Sequence, residues 1–169
     1  MKKLIIWSVL VSTALLSGCI SSYKSVTEGP AAKVTFAVKD IEKGIPLFSP
    51  ELTYIISSCN PKERGQIKLK SSHKSETVRV KAGEPLDVTA NYFMNGGAGP
   101  STRGSLDLLF LPVENHSYLV EYERMGNKFR VLVWNVDKNG QRTKRARTVY
   151  GPANTDKVSN VICRKLGKI

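Results

Sequence analysis

Few side chains in this protein have the chemistry of a reactive centre, and their spacing narrows what that chemistry can be. There are three cysteines, Cys19, Cys59 and Cys163, and two histidines, His73 and His116. A thiolate can attack a carbonyl, hold zinc or enter a disulfide, but a nucleophilic cysteine needs a base or cation beside it to lower its pKa. Neither Cys59 nor Cys163 has a histidine near it in the chain. The two histidines lie far apart, outside any His-x-x-x-His or Cys-x-x-Cys pattern, so no metal site is expected. Glu121 and Glu123 share one face of a strand and could form a glycosidase pair only inside a cleft. With Arg124, Lys128 and Arg130 in the adjoining hairpin, cross-strand charge pairing is the simpler account. No Gly-x-Ser-x-Gly elbow occurs. The chain is therefore expected not to be an enzyme, and to use no cofactor.

Two other stretches could bind rather than react. Residues 95–104 hold Gly96, Gly97, Gly99 and Gly104 with Arg103 among them. The glycines are not followed by Gly-Lys-Ser/Thr or by a helix, so this is not a phosphate cradle; it reads as a loop at one end of the domain that could contact a ligand or partner. Arg142, Lys144, Arg145 and Arg147 form the densest basic run, a possible contact for a polyanion. Alternation places Arg142 with Lys144 on one face and Arg145 with Arg147 on the other, which favours a charge-protected edge strand over a groove.

The residues that say where this chemistry would take place come first in the chain. Lys2 and Lys3 precede an apolar run over residues 4–16, and small residues then lead into Cys19, the layout of a secretory signal segment. The run is too short to span a bilayer, which takes about 20 apolar residues. Leu16-Ser17-Gly18-Cys19 resembles the lipobox of bacterial lipoproteins. The resemblance covers only the export segment. It implies that residues 1–18 are removed, that Cys19 carries diacylglyceryl and acyl chains, and that these hold the protein at the membrane. Ile20, where an aspartate would retain a lipoprotein in the inner membrane, implies the outer membrane and a face toward the periplasm.

Export bears on the other cysteines and on the charge. In an oxidising compartment a remaining pair, Cys59 and Cys163, is expected to form a disulfide. Loss of the leader with Lys2 and Lys3 lowers the formal net charge only from +12 to +10. In the cytosol such a charge would raise nucleic acid as a partner. Beyond the inner membrane it points to envelope proteins or anionic envelope polymers, and no nucleic acid is expected.

The elements that must position these residues are strands. Residues 19–32 read as the lipidated cysteine and a flexible tether, with small polar residues, Gly29 and Pro30 breaking any period. A single domain then fills 33–169. Val34, Phe36 and Val38 alternate with polar neighbours, as do Ile67 and Leu69, Val78 and Val80, and Leu86, Val88, Ala90 and Tyr92. Residues 106–111 are almost wholly apolar, as in a strand covered on both faces. Residues 117–149 read as a three-stranded meander with turns at 125–128 and 137–140. No stretch shows a helical period over three turns. The fold class is all-β, an antiparallel β-sandwich of about eight or nine short strands after a lipoprotein signal peptide. The expected function is a binding or scaffolding module of the cell envelope. This architecture is similar to that of the outer-membrane lipoprotein subunit of type VI secretion systems, a similarity carried by no motif. The alternative from another class is an envelope hydrolase acting on cell wall or lipopolysaccharide.

Overall fold

The structure, a computed structural model, describes residues 21–39, 51–60, 63–70, 72–94, 101–125 and 128–168. Ten strands among these form two packed sheets. One contains, in spatial order, β4 (Ser75–Lys81), β1 (Ala31–Lys39), β7 (Ser117–Met125), β8 (Lys128–Val136) and β9 (Arg142–Arg145). The other contains β10 (Thr148–Tyr150), β6 (Thr102–Phe110), β5 (Leu86–Met94), β2 (Glu51–Ser57) and β3 (Gly65–Leu69). The expected all-β sandwich is present, with one difference in pairing. β1 and β7 run parallel, Phe36 opposite Val120, while the other pairs are antiparallel. The chain visits the second sheet between β1 and β7, which supplies the long connection that a parallel pair requires.

Alternation decides which residues make the core. Val34, Phe36 and Val38 of β1, Tyr118, Val120 and Tyr122 of β7, and Val131 and Val133 of β8 face Leu52, Tyr54 and Ile56 of β2, Val88, Ala90 and Tyr92 of β5, and Leu108 and Phe110 of β6, all buried. Each large side chain removed from water contributes about 1.5–3 kcal/mol. The Tyr54 hydroxyl crosses the core and donates to the Ala37 carbonyl at 2.9 Å, so the two sheets are joined by a hydrogen bond as well as by packing. Burial pushes this phenol far above its ordinary pKa.

The expected meander is cut short. β7, β8 and β9 form it in the first sheet, but the chain then crosses at 146–147, and β10 pairs with β6 in the second sheet. A helix follows, α1 (Pro152–Lys165), in a stretch whose sequence shows no helical period over three turns. Only Thr155 and Cys163 of this helix are buried, and Thr155 and Ser159 lie on its packed side, so an apolar 3.6-residue period never develops. Its start and stop signals are local: Pro152 opens the first turn, and Arg164 and Lys165 sit in the last. The helix packs on β6 and β10, covering Leu109, and explains why residues 108–110 are buried on both faces.

Residues 21–30, expected as a free tether, are held against the domain. The Gln66 amide donates to the Ser21 carbonyl and the Tyr23 amide to the Gln66 carbonyl, both at 3.0 Å, so the segment pairs in parallel with β3. It then reaches β4, where the Val26 amide donates to Arg79 carbonyl at 3.0 Å and the Arg79 amide donates to Ser25 Oγ at 3.1 Å. β3 and β4 are the open edges of the two sheets on one side of the sandwich. The segment is thus a strap that satisfies both edges. Gly65 makes room for it: a Cβ there would lie 2.4 Å from Tyr23 Cα. Burial, with the Glu63 carboxylate nearby, pushes the Tyr23 phenol up to about 12.

Candidate binding surfaces

The sandwich has two ends of different character. At one end lie the starts of β1, β3, β5 and β7 and the close of β4 and β6; we call it the Lys81 end. At the other lie Phe93, Arg103 and Phe129, and we call it the Phe93 end. Strands of nine residues at about 3.3 Å per residue separate the two by roughly 30 Å.

Of the residues expected to contact a ligand, Gly96, Gly97 and Gly99 lie outside the described residues, as does Cys19. Arg103 is described. It sits on β6 opposite Phe93 of β5, its guanidinium 5.1 Å from the Phe93 ring centroid. Phe93 is 39% exposed, large for an aromatic ring, and with Asn91 and Ser105 the pair borders a broad depression of about 650 Å³. Below it, on the inner face, Tyr92 stacks on Tyr122 at 5.5 Å and Tyr122 on Phe129 at 5.6 Å. Gly104 belongs to this stack and not to the expected loop: it is in β6, and a Cβ would meet Phe129 Cε1 at 2.2 Å. The glycine is there because a ring from the opposite sheet fills the space.

The basic run differs from expectation in its geometry. β9 pairs with β8 at Arg142 opposite Val136 and at Arg145 opposite Trp134, three residues matched to two. The extra residue is a bulge, which reverses the alternation. Arg142 and Arg145 therefore come to the same ring, 5.7 and 5.2 Å from the Trp134 centroid. Arg142 also donates to Glu121 Oε1 at 2.5 Å. Among the described residues no carboxylate lies within ion-pair distance of Lys144, Arg145 or Arg147. All four residues of β9 are exposed on the outermost strand of their sheet, the position at which lysine and arginine protect an edge.

The carboxylates are accounted for by pairing. Glu123 accepts from Arg130 Nε at 2.7 Å and from Lys39 Nζ at 3.1 Å, which holds its carboxyl below the usual range. Glu121 is held by Arg142, so the two acids face separate cations and not a common cleft. Burial alone would raise Glu63, but hydrogen bonds from Lys81, Asn60 and Ser58 outweigh it and lower the pKa. His116 bonds the Glu114 carbonyl through Nδ1 at 3.0 Å, and His73 lies 3.8 Å from Glu76. Among the described residues no group of three metal-ligating side chains converges. Cys59 and Cys163 are joined as expected, their Cα atoms 5.4 Å apart, tying α1 to the end of β2.

One titratable group has a stability consequence. Asp87, under α1, accepts from Ser159 Oγ at 2.7 Å, while its Oδ1 is buried without a partner. Burial pushes its pKa up to about 6, the charges of Asp156 and Asp107 add to this, and the Ser159 hydroxyl opposes it. The folded chain therefore binds a proton here more tightly than the unfolded chain, and this group's contribution to stability falls as pH rises through the window between about 4 and 6. Glu63 and Glu123, with lowered pKa values, lose their contribution as the pH drops below the ordinary carboxylate range. Asp87→Asn should raise stability at pH 7 by about 1 kcal/mol after allowance for solvent screening, and leave it unchanged near pH 4. Urea unfolding at the two pH values measures the difference; an equal shift at both would contradict the assignment.

No family model matches the chain, and neither a curated protein nor a solved structure matches it.

Proposed function

We propose that this chain is an outer-membrane lipoprotein, anchored through Cys19 and facing the periplasm, that serves as a binding or scaffolding module of the cell envelope through its Phe93 end. The observation that carries the reading is the Phe93–Arg103 pair: a half-exposed aromatic ring under a guanidinium, on rigid strands, flanking the glycine-rich stretch. Aromatic residues and arginine are the types that dominate the energetic centres of protein interfaces. The residues that could have done hydrolysis support the same reading, since Glu121 and Glu123 are engaged by Arg142, Arg130 and Lys39. The partner is an envelope protein. β9 is an edge guarded by its charges, with Arg142 and Arg145 packed on Trp134.

Two measurements test this. Cys19→Ser should abolish acylation and move the protein out of the membrane fraction; a variant still in the membrane pellet overturns the anchor. Affinity purification from solubilised envelope should return one protein in constant ratio with the native chain. The Phe93→Asp, Arg103→Glu variant should weaken its capture by about 30-fold, the size expected when a 2 kcal/mol hot spot is lost. Equal recovery with both chains would refute the assignment of the contact surface.

A further inference from the structure

The strap carries an inference about the opposite end. Ser21 is hydrogen-bonded to β3, and only two Cα–Cα steps, about 7 Å at most, separate it from Cys19. The strap runs parallel to β3, whose start lies at the Lys81 end, so the chain enters the described structure from that end. A lipid on Cys19 would therefore hold the Lys81 end close to the bilayer, with no long spacer between them.

The surface of that end suits such a position. Leu111 and Val113, in the connection from β6 to β7, are 45% and 49% exposed, and Leu166, just past α1, is 44% exposed. These are half of the large apolar side chains exposed among the described residues. The connection is fixed at this end: the Gly83 amide donates to the Pro112 carbonyl at 2.9 Å and the Asn115 amide to the Ala31 carbonyl at 3.1 Å. α1 ends there too, bound through Cys163 to Cys59 and through Lys168 to Glu84. The same end carries exposed Arg64, just before β3, and exposed Arg164 and Lys165 in the last turn of α1. Of the carboxylates at this end, Glu63 is paired with Lys81, Glu84 with Lys168 and Asp87 accepts from Ser159, while Glu28, Glu114 and the exposed Asp137 just past β8 carry no ion pair among the described residues. An end that carries both apolar tips and exposed cations suits the boundary between acyl chains and anionic headgroups.

We infer that the Lys81 end is a membrane-seating surface: Leu111, Val113 and Leu166 rest in the headgroup layer of a bilayer containing anionic lipid, Arg64, Arg164 and Lys165 meet the phosphates, and the Phe93 end points away from the membrane. This rests on the lipoprotein reading and deepens it, because it turns an attachment point into an orientation.

Hydroxyl-radical footprinting of the acylated protein in vesicles containing phosphatidylglycerol tests it, with the unacylated mature chain carrying Cys19→Ser as the soluble reference. Oxidation of Leu111, Val113 and Leu166 should fall severalfold on vesicles, while that of Phe93 stays unchanged. The Leu111→Asp, Val113→Asp variant should still be acylated and pelleted with vesicles, yet its Leu166 should oxidise as fast as in solution. Mass analysis of the N-terminal peptide separates the two ideas. A chain without acyl groups would refute the lipoprotein reading itself. An acylated chain whose three side chains oxidise as fast on vesicles as in solution overturns the seating alone.

Discussion

Removing the Cys59–Cys163 bridge, by replacing both residues with alanine, is expected to lower the free energy of unfolding by about 2–5 kcal/mol. The two residues are 104 apart in the chain, and closure of a loop of about 100 residues contributes up to roughly 4.7 kcal/mol in the chain-entropy model. The local effect follows from what else holds α1. Without the bridge the helix keeps the Ser159–Asp87 hydrogen bond, the buried Thr155 and the Lys168–Glu84 pair, one of which is a single neutral donor and another a 3.7 Å ion pair whose lysine is half exposed. Such contacts are worth about 1 kcal/mol each. The helix should therefore loosen before the sandwich unfolds, and limited proteolysis should cut first near Gly151, where the chain turns from β10 into α1. Urea midpoints of the native and double-alanine chains measure the global term. An unchanged midpoint would show that the bridge braces nothing.

Gly65→Ala should have the next largest effect. Its Cβ would lie 2.4 Å from Tyr23 Cα and 2.8 Å from Tyr23 N, contacts with backbone that no side-chain rotation relieves. The strap must leave β3, which gives up the paired hydrogen bonds through Gln66 and the packing of Tyr23 on the core. Overpacking of this kind costs about 1–3 kcal/mol. The signature is local: the Tyr23 and Gln66 amides, protected in the native chain, should exchange rapidly, while core amides such as those of Val34 and Val120 remain slow. Gly104→Ala is the useful contrast, because its new Cβ meets the ring of Phe129, a side chain with some freedom to move. Fast exchange at Tyr23 in that variant as well would argue against a strap held specifically by Gly65. Released from β3, the strap would become the flexible tether that its composition suggests, and the orientation of the Lys81 end toward lipid should be lost with acylation intact.

The strands were readable because their signal is local. Val34, Phe36 and Val38, or Tyr118, Val120 and Tyr122, alternate with residues that face outward, and the pleat of a strand needs only that period of two. The disulfide was readable as well, once the export segment implied an oxidising compartment, since two cysteines leave one connectivity. α1 was hidden because its packed face is made of Thr155, Ser159 and Cys163, which carry no apolar stripe. The strap was hidden for a different reason. Ser21, Ser22 and Ser25 have the composition of a linker, and what orders them is backbone pairing to Gln66 and Arg79, with which they share no sequence pattern.

By itself, then, the amino-acid sequence determined the class of the fold, the strand faces and the bridging of Cys59 to Cys163, because periodicity and cysteine count are properties of a short stretch or of a simple inventory. Only the tertiary structure decided which edges would be left open and what closes them, that β1 and β7 run parallel, that a bulge brings Arg142 and Arg145 to one indole, and that the chain enters at the end carrying Leu111, Val113 and Leu166. Each of these depends on partners far apart in the chain. An unpaired edge exists only after the sheets have formed, and a single inserted residue reverses every inference drawn from alternation beyond it.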